Sequence, residues 1–451
     1  MSKQRIQLSD HFTYPRLLRF VLPCIGTMLF TSIYGIVDGL CVSNFVGKTA
    51  FAAVNLIMPL PMLLGTIGFM LGTGGSAIVG ITLGEGDQKK ADRYFTLFLL
   101  AALISVSVLA VLGIVFLRPI AALLGAKGEL LDYAVRYGRI LMVSLPTFAL
   151  QNMFQSFFVT AEKPHLGFWF TVGAGCTNMV LDVLMVGIWG WGVEGAAIAT
   201  FISQLVGGVL PVFYFIDRSN SSRLHLCKTS FYSKVLRDAC INGSSELMTN
   251  LSMSLVNILY NYQLLRFAGE NGVAAYGVIM YAAFLFVAVF VGYAVGSAPI
   301  VSYHYGARNH AELNNLYSKS LRLIGVIAVV MTALSMLVIP YVARIFVGYD
   351  AELLALTSHA FRVYALNFFL MGFNVYGSSF FTALGDGVTS ALISFLRTLL
   401  FQLLALIFLP MVLGIEGVWL AVTAAEAGAL CVTVLMFITK DKVFHYRKAS
   451  C

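Results

Sequence analysis

Apolar stretches of about 20 residues or more, each long enough to cross the hydrocarbon of a bilayer, recur along the chain from Arg19 to Lys440 with short polar segments between them. Few folds accept such a sequence. Backbone N–H and C=O groups find no water in hydrocarbon, so each stretch must satisfy its own hydrogen bonds as a helix or close into a barrel. The period-2 alternation that a membrane barrel needs is absent. Composition agrees: 59% of the 451 residues are hydrophobic and 11% are charged, against roughly a quarter charged in an ordinary soluble domain. The pattern predicts an all-α integral membrane protein with twelve transmembrane helices. Their expected spans are 19–44, 50–83, 94–117, 131–160, 166–189, 192–216, 239–267, 273–303, 320–346, 353–382, 388–413 and 417–439, numbered 1 to 12 below.

Basic residues orient the bundle. With the N-terminus inside, 20 of the 29 Lys and Arg residues fall on inner segments, among them Lys3, Arg5 and Lys448, 8 fall on outer segments and Arg397 lies within a span. That bias predicts both termini in the cytoplasm of a cell that carries the protein in its inner membrane. The net charge of +8 then reflects topology and contact with anionic lipid, and gives no reason to expect nucleic acid as a partner. The seven cysteines, including Cys41 and Cys451, are scattered and odd in number, and read as small packing residues. The first apolar run follows basic residues but contains a carboxylate and ends in no small-residue cleavage site, so it reads as span 1 and not as a cleaved signal.

The chain also repeats itself. At a constant offset of 222 residues, Gly47 meets Gly269, Gly74 meets Gly296, Gly84 meets Gly306, Thr160 meets Thr382, and Gly192, Glu194 and Gly195 meet Gly414, Glu416 and Gly417. An even number of spans per copy predicts two pseudo-symmetric six-helix bundles as parallel repeats, an N-terminal lobe over 1–228 and a C-terminal lobe over 229–451. A cleft between two such lobes can open alternately to each side.

Carboxylates inside spans carry the chemistry, because each costs on the order of 3 kcal/mol to place there. Asp38 on span 1, Asp182 on span 5 and Thr200 on span 6 fall at a common depth, on the order of 10 Å below the outer surface at 1.5 Å per residue. Asn178 shares the face of Asp182 one turn earlier. Two carboxylates, an amide and a hydroxyl suit a hard cation such as Na⁺, and paired carboxylates also suit a proton carrier. The bland alternative is polar glue between helices. At the repeat offset these four map onto Tyr260, Leu400, Leu404 and Val422, so the cluster belongs to the first lobe alone. In the second lobe, Arg397 and Glu426 are expected to pair across spans 11 and 12, and Glu246 falls near the inner mouth of span 7. Aromatic side chains there, Tyr260 and Tyr281 among them, offer packing or an adaptable surface for flat cations.

The runs VDGLCVSNFVG around Asp38, NMVLDVLMVG around Asp182 and GVEGAAIATFISQ ending at Gln204 resemble the multidrug and toxic compound extrusion (MATE) transporters, and the resemblance covers essentially the whole chain. It implies a cation site at Asp38, Asn178, Asp182 and Thr200, a helix bend at Pro23, and supporting roles for Tyr34, Asn152 and Gln155. It also implies acidic residues on spans 7 and 10; Glu246 answers to the first, but span 10 reads FRVYALNFFLMGFNVYGSSFF and has none.

The expected function is export of small organic, often cationic compounds by antiport against H⁺ or Na⁺, by a monomer in membrane lipid. No prosthetic cofactor is expected. The chain has no GxxxxGK loop for ATP, and none of its seven histidines has the HExxH spacing of a metalloenzyme, so it is not read as an enzyme. The alternative is a flippase for lipid-linked precursors, which would need several basic residues in its cleft.

Overall fold

The computed structural model describes residues 6–46 and 48–447. Lys3, Arg5, Gly47, Lys448 and Cys451 lie outside the described residues, as does the side chain of Cys41. Among the described residues nine helices are long and apolar enough to cross a bilayer, and the pair Ala351–Ala365 and Phe368–Ala383, bent by 46°, makes a tenth. The helical stretch Ser244–Gly306 is two spans: at Gly269 the backbone leaves the helix with φ 58° and ψ −149°, a conformation open to glycine. There the chain doubles back, so that Tyr276 stacks on Tyr260 with ring centroids 4.8 Å apart and donates to Asn257 Oδ1 at 3.1 Å. On a straight helix residues 260 and 276 would be about 24 Å apart. The twelfth span is Gly128–Thr160, less apolar because it carries Gln151, Asn152 and Gln155.

The twelve spans follow the expected order, with local departures that proline, glycine and charge explain. Span 2 is preceded by a separate helix, Lys48–Ile57, and restarts at Pro59, where a proline is preorganised for a first helical position. Span 6 breaks before Pro211 into Gly192–Gly208 and Leu210–Ile216. Span 7 is preceded by the helix Ser233–Asn242 and restarts at Ser244, so the helical approach begins earlier than expected. Spans 5 and 11 each pass into a π-helical turn, Val183–Ile188 and Leu396–Leu400. Span 1, Tyr14–Val46, continues unbroken through Pro23.

The repeat is visible in backbone behaviour. Gly192 and Gly414, one offset apart, take φ of 61° and 59°. Gly84 packs on the backbone of Tyr303 and Ala307, and its counterpart Gly306 packs on the backbone of Ile81, which is itself the counterpart of Tyr303. Gly74 and Gly243 likewise face each other's neighbours so closely that a methyl group on either would overlap backbone atoms. Spans 2 and 8, with the start of span 7, therefore meet backbone to backbone between the lobes.

These contacts lie on the side of the bundle that carries both termini. There the buried cores cross the lobes: Val21 and Cys24 of span 1 share one with Tyr293, Ile300 and Tyr376, and Leu71 and Phe154 share another with Ala239. On the opposite side each core belongs to a single lobe, one around Ile57, Tyr137 and Ala197, the other around Tyr260, Phe361 and Trp419. The cleft is thus closed on the terminal side and divides the lobes on the far side. The segment before span 1 straps the closed side: Leu8 N donates to Glu162 Oε1 of the first lobe at 2.9 Å, and Phe12 N donates to Glu312 Oε1 of the second at 2.9 Å. Both apolar side chains are fully buried.

The glycine contacts should hold the terminal side shut. Gly84→Leu is expected to prop it open, since added side-chain volume in a close-packed contact costs about 1–3 kcal/mol. The measurement is maleimide labelling of Cys24, which is 4% exposed, in a chain whose other cysteines are serine. Labelling should rise several-fold, and an unchanged rate would show that these contacts do not govern closure.

Candidate functional site

Span 1 and span 5 pack along each other through small residues, with Phe30 and Tyr34 against Gly175 and Phe168 against Gly26. That register carries Asp38 to Asp182, and the two carboxyl groups lie side by side with the Asn178 amide next to Asp38. Asp182 is fully buried and Asn178 is 2% exposed. Asn178 Nδ2 reaches Thr200 Oγ1 at 3.5 Å, the long limit of a hydrogen bond. Among the described residues no N–H or hydroxyl donor reaches Asp38 Oδ1 or either Asp182 oxygen, all three of them buried. A carboxylate stripped of water and partners is costly; three such oxygens in one spot are a place for a proton or a bound cation. Asp182 is also the last residue before the π-helical turn Val183–Ile188, a feature that often marks functional positions.

Tyr34 stands beside Asp38, as its one-turn spacing implies. Asn152 and Gln155 do not. Gln155 lines a small cavity level with Gly167 and Cys24, fifteen residues before Asp182 on the paired helix and so roughly 20 Å away along it. The residue that does join the carboxylates is Tyr137, fully buried and close enough for both charges to act on its hydroxyl. It lies six residues into the expected span 4, the same depth that groups Asp38, Asp182 and Thr200, and that depth rule would have found it. Pro23 sits within span 1, its carbonyl accepting from Thr27 Oγ1 at 2.9 Å.

The second lobe holds a different polar centre. Arg397 Nε lies 3.2 Å from Glu426 Oε1, with the Arg397 side chain 14% and the Glu426 side chain 1% exposed. Asn374 Nδ2 donates to Glu426 Oε2 at 2.7 Å and accepts from Thr433 Oγ1 through its own oxygen at 2.8 Å. Span 10 thus carries an amide serving a carboxylate where the family resemblance implied an acid. Arg397 sits in the π-helical turn Leu396–Leu400 and also lines a cavity of about 120 Å³ between the lobes. Glu246 lines the same cavity, as do nine Ser and Thr residues from both lobes. Its position is deep and not at a mouth: it follows thirteen residues of helical approach from Ser233, roughly 20 Å at 1.5 Å per residue. Tyr260 is buried in the second-lobe core and Tyr281 is 44% exposed; neither lines this cavity. The counterparts of Asp38 and Thr200, Tyr260 and Val422, are core neighbours, so the second lobe fills the equivalent position with apolar packing.

Twelve helices in two lobes, with charged groups buried at the lobe cores and interface, define a polytopic membrane transporter fold. The MatE family model matches residues 23–184 and again 247–407, once in each lobe, and the chain belongs to the MATE family. It is similar to the multidrug export protein MepA of Staphylococcus saprophyticus, 21% identical over 95% of this chain and 94% of the relative. Among solved structures it resembles a MATE protein in complex with MaL6, 24% identical with a TM-score of 0.92 over 98% of this chain and 100% of that one. It also resembles the outward-facing conformation of a multidrug resistance MATE family transporter of the MOP superfamily, 24% identical with a TM-score of 0.91 over 99% of both. These likenesses establish the fold. Among the described residues no group of three or more His, Cys, Asp or Glu lies close enough to share a metal ion.

The Arg397–Glu426 pair should be structural at its inner face. Glu426→Gln leaves a buried guanidinium uncompensated and is expected to destabilise the protein by about 3 kcal/mol, read as a lower melting temperature in detergent. The double variant Arg397→Gln/Glu426→Gln removes both charges and should recover most of that loss; a double variant no better than the single would refute the pairing.

Proposed function

We propose that the chain is a secondary active exporter that moves small organic compounds, often cationic, by antiport against H⁺ or Na⁺, as a monomer in the inner membrane with both termini in the cytoplasm. The observation that carries this reading is the set of three buried carboxylate oxygens at Asp38 and Asp182 that no donor among the described residues reaches. With the Asn178 and Thr200 oxygens beside them, these residues would hold a hard cation or take up a proton in turn. Either ligand offsets their mutual repulsion, and so its binding favours whichever arrangement of spans 1 and 5 brings the two groups together. A membrane gradient of that ion can then drive the arrangement.

Span 1 is the mechanical link. Its far half carries Asp38, its near half packs Val21, Cys24 and Ile25 on Gly292 and Gly296 of span 8 at the lobe interface, and its start joins the strap at Leu8 and Phe12. A shift at Asp38 is transmitted along one helix to the contact that closes the cleft. Pro23 lies within that contact, fifteen residues before Asp38, where its ring lacks the N–H of an ordinary helical residue and lowers resistance to bending. The cleft, closed on the terminal side, offers its cavity to the other side, the arrangement of an exporter that releases cargo outward. A flippase for polyanionic lipid precursors fits less well, because among the described residues Arg397 is the only basic one lining the cavity and it already faces Glu426. Nothing in the reading calls for a prosthetic cofactor or an enzymatic step.

Ethidium efflux from loaded cells under imposed Na⁺ or H⁺ gradients tests the coupling. One gradient should accelerate wild-type efflux at least about fivefold, and Asp38→Asn or Asp182→Asn should return it to the gradient-free rate, since a lost charge-assisted interaction of about 1.5–3 kcal/mol exceeds a tenfold effect. Undiminished gradient-driven efflux in both variants would sink the coupling site. Movement of an anionic lipid precursor with no movement of dye would favour the flippase.

A further inference from the structure

The linker between the lobes is fastened to the terminal side of the bundle along much of its length. Arg223 Nη1 lies 2.6 Å from Glu162 Oε1, the same oxygen that holds Leu8 N of the strap. Beyond it the chain is pinned to the start of span 3. His225 N donates to Asp92 Oδ1 at 3.1 Å, Cys227 N to Thr96 Oγ1 at 3.1 Å, and Thr229 Oγ1 to the Arg93 carbonyl at 2.8 Å. Linker and helix together form a pocket of about 470 Å³, where Lys89, Asp92, Arg93, Arg218, His225 and Lys228 meet. Four of these carry a positive charge, and the one carboxylate, Asp92, already accepts the linker N–H. Among the described residues no carboxylate comes within 4.0 Å of the head groups of Lys89, Arg93, Arg218 or Lys228. Nor does any partner among them reach His225 Nε2, a buried ring nitrogen in the same wall.

The duplicated scaffold does not demand this charge. At the repeat offset Lys89, Asp92 and Arg93 map onto Ala311, Asn314 and Asn315. There the neutral amides bond the chain itself, Asn314 Nδ2 donating to the Tyr446 carbonyl at 3.2 Å and Asn315 Nδ2 to the Phe12 carbonyl at 3.0 Å. The first-lobe pocket is also placed at the edge of the bilayer. Arg93 begins a stripe along span 3 that continues, at spacings of seven, four, seven and four residues, through Leu100, Ile104, Val111 and Val115, all exposed. Those spacings keep one face of a helix, and an exposed apolar face on a spanning helix meets lipid. Phe213 and Ile216, exposed at the end of span 6, bring a second apolar face to the same edge.

We propose that this pocket is a binding site for an anionic phospholipid. Its phosphoryl group sits among Arg93, Arg218, Lys89 and Lys228, and its acyl chains run beside the exposed stripe of span 3. Arg93 and Arg218 match phosphoryl oxygens with parallel hydrogen bonds from a planar fork, and the two ammonium groups add charge without directional demand. His225 Nε2, when it carries the ring proton, is a further donor at the same wall. A free phosphate satisfies these cations equally, but it gains nothing from the apolar faces beside them. A bound lipid ties span 3 to the linker and so braces the chain that leads from one lobe into the other.

Native mass spectrometry of the purified full chain in neutral detergent, titrated with dioleoyl phosphatidylglycerol or dioleoyl phosphatidylcholine, reads the site, since the two lipids share acyl chains and differ in headgroup charge. The first phosphatidylglycerol should bind with a Kd at least about fivefold lower than the first phosphatidylcholine, the scale of one or two Lys or Arg contacts. Arg93→Gln/Arg218→Gln should bring the two lipids within about twofold of each other. Both side chains are exposed, so the fold should tolerate the change; an unaltered melting temperature without lipid checks this, and Lys89→Gln/Lys228→Gln serves if it falls. Arg118→Gln/Arg136→Gln removes the same charge at the opposite ends of the helices and should keep the preference. Equal affinities in the wild type, a preference that survives in the folded pocket variant, or an equal loss in the variant at Arg118 and Arg136 would overturn the assignment. Inorganic phosphate is the third probe: if it raises the melting temperature of the wild type but not of the pocket variant, and the two lipids bind alike, the pocket is a soluble-anion site and the lipid assignment fails.

Discussion

Two helix backbones touching at glycine is the contact on which the rest of this molecule depends. Membrane helices gain little from burying apolar surface against one another, because lipid is as apolar as they are, so close backbone approach at small residues supplies much of their association. Here such contacts run along about 15 Å of span 2, from Gly74, packed on Gly243, to Gly84, packed beside Gly306. They fix the register of spans 2, 7 and 8, while Gly292 and Gly296 hold span 8 against span 1, and together these contacts decide which side of the cleft is shut. Because Gly84 and Gly306 are counterparts in the internal repeat, and Gly74 on Gly243 is matched by Gly296 on Val21, the seal has the near two-fold character expected of lobes that rock as bodies.

Against that symmetric frame the charges are asymmetric, and the two polar centres contrast physically. In the first lobe three carboxylate oxygens are buried with nothing to bond, a state that invites a ligand and changes when the ligand leaves. In the second lobe Glu426 has its charge compensated by Arg397 at 3.2 Å and one oxygen bonded by Asn374, a state that resists change. The first centre suits a moving part and the second a fixed one, and the fixed one holds out a guanidinium to the cavity between the lobes. Each centre adjoins a π-helical turn, where a widened helix lets a polar side chain leave the regular stripe.

Much of this was legible in the residues. Apolar length and the constant offset were enough for twelve spans in two bundles, because hydrocarbon permits only helices here and duplicated glycines keep their backbone duties. Depth counting placed Asp38, Asn178, Asp182 and Thr200 at one level, and it also holds for Tyr137, which was passed over because a tyrosine in a span carries no charge to draw attention. Asn152 and Gln155, which only the family resemblance singles out, lie toward the opposite end of span 4. Span boundaries slipped where Pro59, Pro211 and Gly243 interrupt runs that remain apolar throughout, for hydropathy does not register a break in direction.

The sequence by itself determined the membrane, the helices, the repeat and which lobe holds the acidic cluster, because those follow from local composition and spacing. Only the tertiary structure decided what each buried charge faces. Glu246 and Arg397 stand 151 residues apart in the chain, and nothing local brings them to one cavity. Their meeting, the partnerless state of Asp182 and the side on which the cleft closes are all set by how helices distant in sequence pack, and packing in lipid is settled by contacts of a few atoms between faces that look alike in a hydropathy profile.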